Sequence, residues 1–140
     1  MKVAEQREQN AACQLGGSIR QLEFQQKQLD ELIAYRARSE QYYLAATQTG
    51  LSVARVRDYQ IFLARLDNAI TQQRQAVMGS SQDKEASQAN WQGARGHSKM
   101  INKVVETRQQ AERQQINSRE QRESDDRAST ALVSGKSDEK

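Results

Sequence analysis

Apolar residues recur along the first fifty positions at alternating steps of three and four. Ala12, Leu15, Ile19, Leu22, Leu29, Ile33 and Tyr43 carry the beat, and Gln26, Arg36 and Glu40 keep it where the side chain is polar. That rhythm is a heptad seam, the stripe along which one helix winds against another. Leu15, Leu22, Leu29, Arg36 and Tyr43 take the d places; Ala12, Ile19, Gln26, Ile33 and Glu40 take the a places. The pattern predicts a helix over 3–48. Gly16 and Gly17 lie inside it, and each weakens a helix by about 1 kcal/mol relative to alanine. The beat stops at 47–52, Thr-Gln-Thr-Gly-Leu-Ser. Gly50 stands where a helix ends in a left-handed residue. Ser52 stands where the next helix would be capped, with Leu51 placed to staple onto its first turn.

A second seam follows in the same rhythm: Val56, Tyr59, Leu63, Leu66, Ile70, Gln73 and Val77, then Ser80, Lys84, Ser87, Trp91, Ala94, Ser98, Ile101, Val105 and Arg108. Its register never slips, although its apolar content falls between 78 and 90. Polar seam residues lower stability while fixing register. From 106 to 123 nearly every residue is polar, as expected of a solvated helix carrying charge pairs one turn apart. From Ser124 onward the composition reads as a disordered tail, 124–140.

Two heptad helices joined by a short turn fold back on one another. The expected fold is therefore all-α: an antiparallel two-helix coiled coil in one domain, 1–123, with helices over 3–48 and 53–123 and a turn at 49–52. Folding about Gly50 sets Tyr43 by Tyr59, Arg36 by Leu66, Ile33 by Ile70, Leu22 by Ser80 and Ala12 by Trp91. At about 1.5 Å per residue the second helix is roughly 105 Å long against roughly 70 Å for the first. It must overhang, and a rod offers no deep pocket of the kind ligands use.

Composition agrees. Hydrophobic residues make up 36% of the chain, aromatics 5%, and there is no proline. A compact core wants roughly 45–50% apolar residues, which argues against a deep-cored enzyme. No apolar run approaches the ~20 residues of a membrane span. The amino-terminal stretch has no hydrophobic signal-peptide core. One cysteine fits a reducing compartment. A soluble cytoplasmic protein is expected, without membrane insertion. The net charge is +3, and residues 1–123 carry 18 bases against 14 acids. That excess is spread out, whereas nucleic-acid binders cluster their bases, so no nucleic-acid partner is expected.

Little chemistry is available. His97 and Cys13 are the sole histidine and cysteine, too few for a zinc site. Cys13 beside the seam reads as a small packed or idle residue. The Gly93–Gly96 stretch lacks the strand and lysine of a phosphate loop. The chain is expected to be no enzyme, to hold no cofactor or metal, and to act by touching other proteins. One residue stands out. Phe62 falls on the flank of the seam, and Leu66, Ala69 and Gln73 follow it at +4, +7 and +11. Either this stripe is a partner anchor, a large aromatic beside a small residue, or a wide seam simply covers Phe62.

Several of these residues make the chain resemble a known family. The stretch 28–43 (QLDELIAYRARSEQYY), with Tyr35, Arg36 and Tyr42 in a YRxxxxxY pattern, leads into the Gly50 turn. After it comes YQxFLxxLxxAIxQQR, from Tyr59 to Arg74, with Trp91 at a familiar spacing. Over roughly 3–123 this resembles the FliJ family, small components of the bacterial flagellar type III export apparatus. The resemblance implies an antiparallel two-helix coiled coil shaped like the central shaft of rotary ATP synthases. It implies insertion into the hexameric export ATPase (FliI-like), contact with the cytoplasmic part of the export gate (FlhA-like), and binding of export chaperones. It places the chain in the cytoplasm, peripherally, at the inner face of the cell membrane at the flagellar base.

The family's gate-contacting stripe, Phe-x3-Leu-x2-Ala-x3-His, falls on Phe62, Leu66, Ala69 and Gln73, with glutamine where histidine is common. Glutamine still hydrogen-bonds but gains no proton near neutral pH. In related shafts both chain ends enter the ring, which would set Ala4–Arg20 and the overhang against the ATPase. Arg108, Arg113, Arg119 and Arg122 would then face acidic loops; solvation of a helix face is the simpler reading of any one of them. The alternatives are the stalk of a virulence injectisome of the same family, a generic coiled-coil scaffold, and a weak nucleic-acid binder.

Overall fold

The computed structural model describes the backbone of residues 2–138 and the side chains of residues 2–135. These residues form two helices, α1 (Lys2–Gln48) and α2 (Val53–Asp138), packed against each other as an antiparallel hairpin. No side chain described is fully buried, and the best-covered apolar ones are Ala4, Ala11, Leu29, Leu66 and Ile70. A pair of helices has one shared face, so each seam residue keeps an edge toward water.

The turn is built as its residues demand. Thr49 and Gly50 donate their backbone N–H groups to the carbonyls of Ala46 and Thr47, at 3.2 and 3.4 Å. Gly50 has φ 88°, the left-handed region that closes helices. Ser52 caps α2: its Oγ accepts from the Arg55 N–H at 3.3 Å, and its carbonyl accepts the Val56 N–H at 3.0 Å. Ser52→Ala should cost about 0.5–1 kcal/mol, read as a lower thermal midpoint; an unchanged midpoint would show that water replaces the cap without loss.

In α2 the seam expected from the pattern, 56, 59, 63, 66, 70, 73, 77, 80, 84, 87, 91, 94, 98, 101 and 105, is covered throughout, with 69, 76, 79 and 81 half-covered beside it, and it ends one step early because Arg108 is exposed. In α1 the row Leu15, Leu22, Leu29, Arg36, Tyr43 also faces inward. The alternate row is corrected by one residue. Ala11, Ser18, Gln25, Leu32 and Ser39 face α2, while Ala12, Gln26, Ile33 and Glu40 are exposed and Ile19 sits half-covered at the edge.

Hydrogen bonding accounts for that rotation. Ser18 Oγ lies 2.8 Å from Ser87 Oγ. Gln73 Nε2 donates to the Gln25 side-chain and backbone carbonyls at 2.6 and 2.9 Å. Among the described side chains no buried polar atom lacks a partner. A seam through Ile19 and Gln26 would turn Ser18 and Gln25 away from these partners, and a polar group enclosed without a bond costs more than a modest gain in apolar cover.

Cross-strand neighbours fall close to expectation. Tyr43 and Tyr59 have ring centroids 5.4 Å apart. Arg36, expected by Leu66, bonds the next residue: its Nε reaches Asp67 at 2.5 Å and its Nη1 reaches Glu40 at 2.7 Å. Asp67 first and Glu40 second raise the pKa of Arg36 further. This solvated cluster fixes register more than it adds stability.

α2 is longer than composition suggested. Residues 124–138, expected to be a disordered tail, continue the helix, and residues 139–140 of that tail lie outside the described ones. The segment has no proline, contains the helix formers Ala128, Ala131 and Leu132, and spends the Thr130 hydroxyl on the Asp126 carbonyl one turn back. From 106 to 135 every side chain is exposed. The overhang is therefore a single helix of roughly 50 Å at about 1.5 Å per residue.

Candidate functional site

The stripe Phe62–Leu66–Ala69–Gln73 begins on the hairpin's flank and runs into its seam. Phe62 is 37% exposed, and its ring stands edge-on to Tyr35 at 6.1 Å and 88°. A T-shaped pair of this kind holds the ring in place without covering it. Leu66, by contrast, is buried at 8%. Ala69 is half-covered. Gln73 turns inward to Gln25. The outward part of the stripe is thus Phe62 with the edge of Ala69, and its other two residues hold the hairpin together.

Around Phe62 the surface is aromatic and carries both charges. A shallow hollow is lined by Arg55, Asp58, Tyr59 and Phe62. Tyr42 is exposed, with its ring 6.4 Å from that of Tyr59. The pairing of Tyr35 with Phe62 was not singled out from the sequence. Its signal was there: both residues lie off the seam, at positions the fold about Gly50 brings to the same side.

The four arginines of the overhang do not form one cluster. Arg119 and Arg122 line one shallow groove with Ser118 and Gln115. Arg108 lies further along with Lys103 against an apolar patch of Met100, Val104 and Thr107. Arg113 belongs to neither. All four are exposed. Met100 and Val104 are exposed apolar residues where α1 has run out, another feature not singled out from the pattern.

Elsewhere, Arg95 places its guanidinium 5.3 Å from the centre of the Trp91 ring, a cation–π contact on the hairpin's outer edge. Cys13 is exposed rather than packed. Among the described residues, no cluster of three or more His, Cys, Asp or Glu side chains is placed to hold a metal ion. Among the same residues, no helix is long and apolar enough to cross a membrane.

Compared with known families, the chain matches the one described as Flagellar FliJ protein over residues 1–136. It belongs to the FliJ family. The match extends past the heptads and along the overhang to residue 136. FliJ membership makes the chain a component of the flagellar protein export apparatus, in an export-associated structural family rather than an enzyme family. The chain matches no curated relative and no solved structure.

Proposed function

We propose that this FliJ-family chain is the stalk of the export apparatus, binding and activating the hexameric export ATPase while its tip contacts the cytoplasmic domain of the export gate. One observation carries the reading: a closed hairpin whose longer strand runs on alone for some thirty residues beyond its partner. A slender, asymmetric shaft in a symmetric ring touches its subunits unequally. It thereby biases their conformations without doing chemistry. The bare helix offers Arg108, Arg113, Arg119 and Arg122 to such a ring, and the open end of α1 lies beside its base. At the other end, Phe62 and Ala69 supply the outward contact for the gate, while Leu66 and Gln73 fix the helix that presents them. Export chaperones complete the set of partners, and the ATPase and gate together hold the chain at the inner face of the cell membrane.

The test uses the full chain with its cognate ATPase and gate domain. Added chain should raise the rate of ATP hydrolysis; no change in rate would end the stalk reading. Phe62→Ala should weaken gate binding about tenfold or more, as expected of a central aromatic anchor, with the hairpin's helicity unchanged. Gate affinity that stayed within about twofold of wild type would remove Phe62 from the contact.

A further inference from the structure

The two halves of the hairpin are built from different materials. Toward the turn, the seam buries Leu29, Leu66 and Ile70 and packs Tyr43 against Tyr59, the rings tilted by 47°. It is cross-linked there by Arg36 to Asp67 and by Gln73 to Gln25. Toward the open end the buried side chains are Ala4, Ala11, Ser80 and Ser98. The large seam residues there, Leu15 and Trp91, both stay partly exposed. Among the described residues, the one hydrogen bond between the strands in this half joins Ser18 to Ser87.

Apolar burial is the chief force holding two helices together, and it scales with the area removed from water. An alanine–serine seam therefore holds less firmly than a leucine–tyrosine one. The helices themselves are weaker here as well. Gly17 and Gly93 lie within α1 and α2, where glycine disfavours helix, and a methyl group added at either would meet nothing within 4 Å. Packing does not demand them. Both sit on the shallow grooves that run between the strands in this half.

We infer that the open end of the hairpin, 4–20 against 79–100, parts from itself as a separate unit while the tip, 22–46 against 56–77, stays closed. Opening exposes the seam faces of both helices and leaves Phe62 and its surroundings undisturbed. The inference stands on the seam's composition and needs no export partner to be right.

Hydrogen exchange of the full-length chain, followed by mass spectrometry, tests it. Amides in 4–20 and 79–100 should exchange at least ~10-fold faster than those in 22–46 and 56–77. Ile70→Ala should speed exchange in the tip by about tenfold or more and leave the open end within about twofold, because the open end does not wait for the tip. Ser18→Cys with Ser87→Cys, in a Cys13→Ser background, sets thiols where two hydroxyls now lie 2.8 Å apart. Oxidised, this pair should slow exchange at the open end by about tenfold or more, and reduction should restore it. Equal exchange in both halves would overturn the inference. So would an Ile70→Ala effect shared equally by both halves, or a disulfide that forms without slowing the open end.

Discussion

Ile70→Ala should lower the stability of the hairpin by about 2–3 kcal/mol, toward the lower end of the range for large-to-small core substitutions. Ile70 is 7% exposed, on α2 in the half of the seam that also buries Leu29 and Leu66. Removing its branched side chain gives up the transfer energy of several buried carbons and opens a gap against α1. The gap borders solvent, because a two-helix seam has no third layer, so water and neighbouring side chains relax into it. That keeps the loss below the ~5 kcal/mol seen in enclosed cores. Urea unfolding should show a lower midpoint with little change in slope, since nearly the same surface is exposed on unfolding. Ile33→Ala is the control. Ile33 is 40% exposed, and its truncation should cost about 0.5 kcal/mol or less, as surface changes do. Equal losses at the two positions would mean that the rotation of α1 described above is wrong.

That pair of isoleucines marks where the sequence was legible and where it was not. In α2 the stripe Val56 to Val105 could be read directly because its neighbours one residue away are mostly polar or small, leaving one way to face inward. In α1 adjacent residues compete. Leu32 and Ile33 are both apolar and Gln25 and Gln26 are identical, so periodicity cannot choose between them, and at Ser18–Ile19 hydropathy favours the isoleucine, which the structure leaves at the edge. The choice is made by polar partners on the other strand, Ser87 and Gln73, and no local pattern contains that information. The same holds for the stripe at Phe62. Spacing put Phe62 on the flank and Gln73 on the seam, but the partner that Gln73 finds, Gln25, depended on the rotation of α1. Helix through 124–138 was missed for a different reason: low hydrophobicity says that a segment buries nothing, which excludes a core and leaves a solvated helix possible.

Gly50→Val should destabilise the hairpin by about 1–3 kcal/mol, the usual scale for a residue held in a backbone region its side chain disfavours. The cause is separable from crowding. A Cβ added at Gly50 would meet nothing within 4 Å, so the whole penalty comes from holding a β-branched residue at φ 88°. The consequence reaches beyond the turn. The hydrogen bonds from Thr49 and Gly50 to Ala46 and Thr47 close α1 with Gly50 in that conformation, and the short link to Ser52 sets where α2 begins. A residue that refused the left-handed region would either unwind the end of α1 or shift α2 along the seam. A shift would part Tyr43 from Tyr59 and Arg36 from Asp67 together. Gly50→Asn separates these causes, because asparagine enters the left-handed region far more readily than valine while also adding a Cβ. The asparagine variant should keep most of the wild-type stability and the valine variant should lose it, as measured by thermal unfolding followed through helicity. If the two variants melted together, the backbone conformation at Gly50 would not be what fixes the register, and the polar links along the seam would have to set it alone.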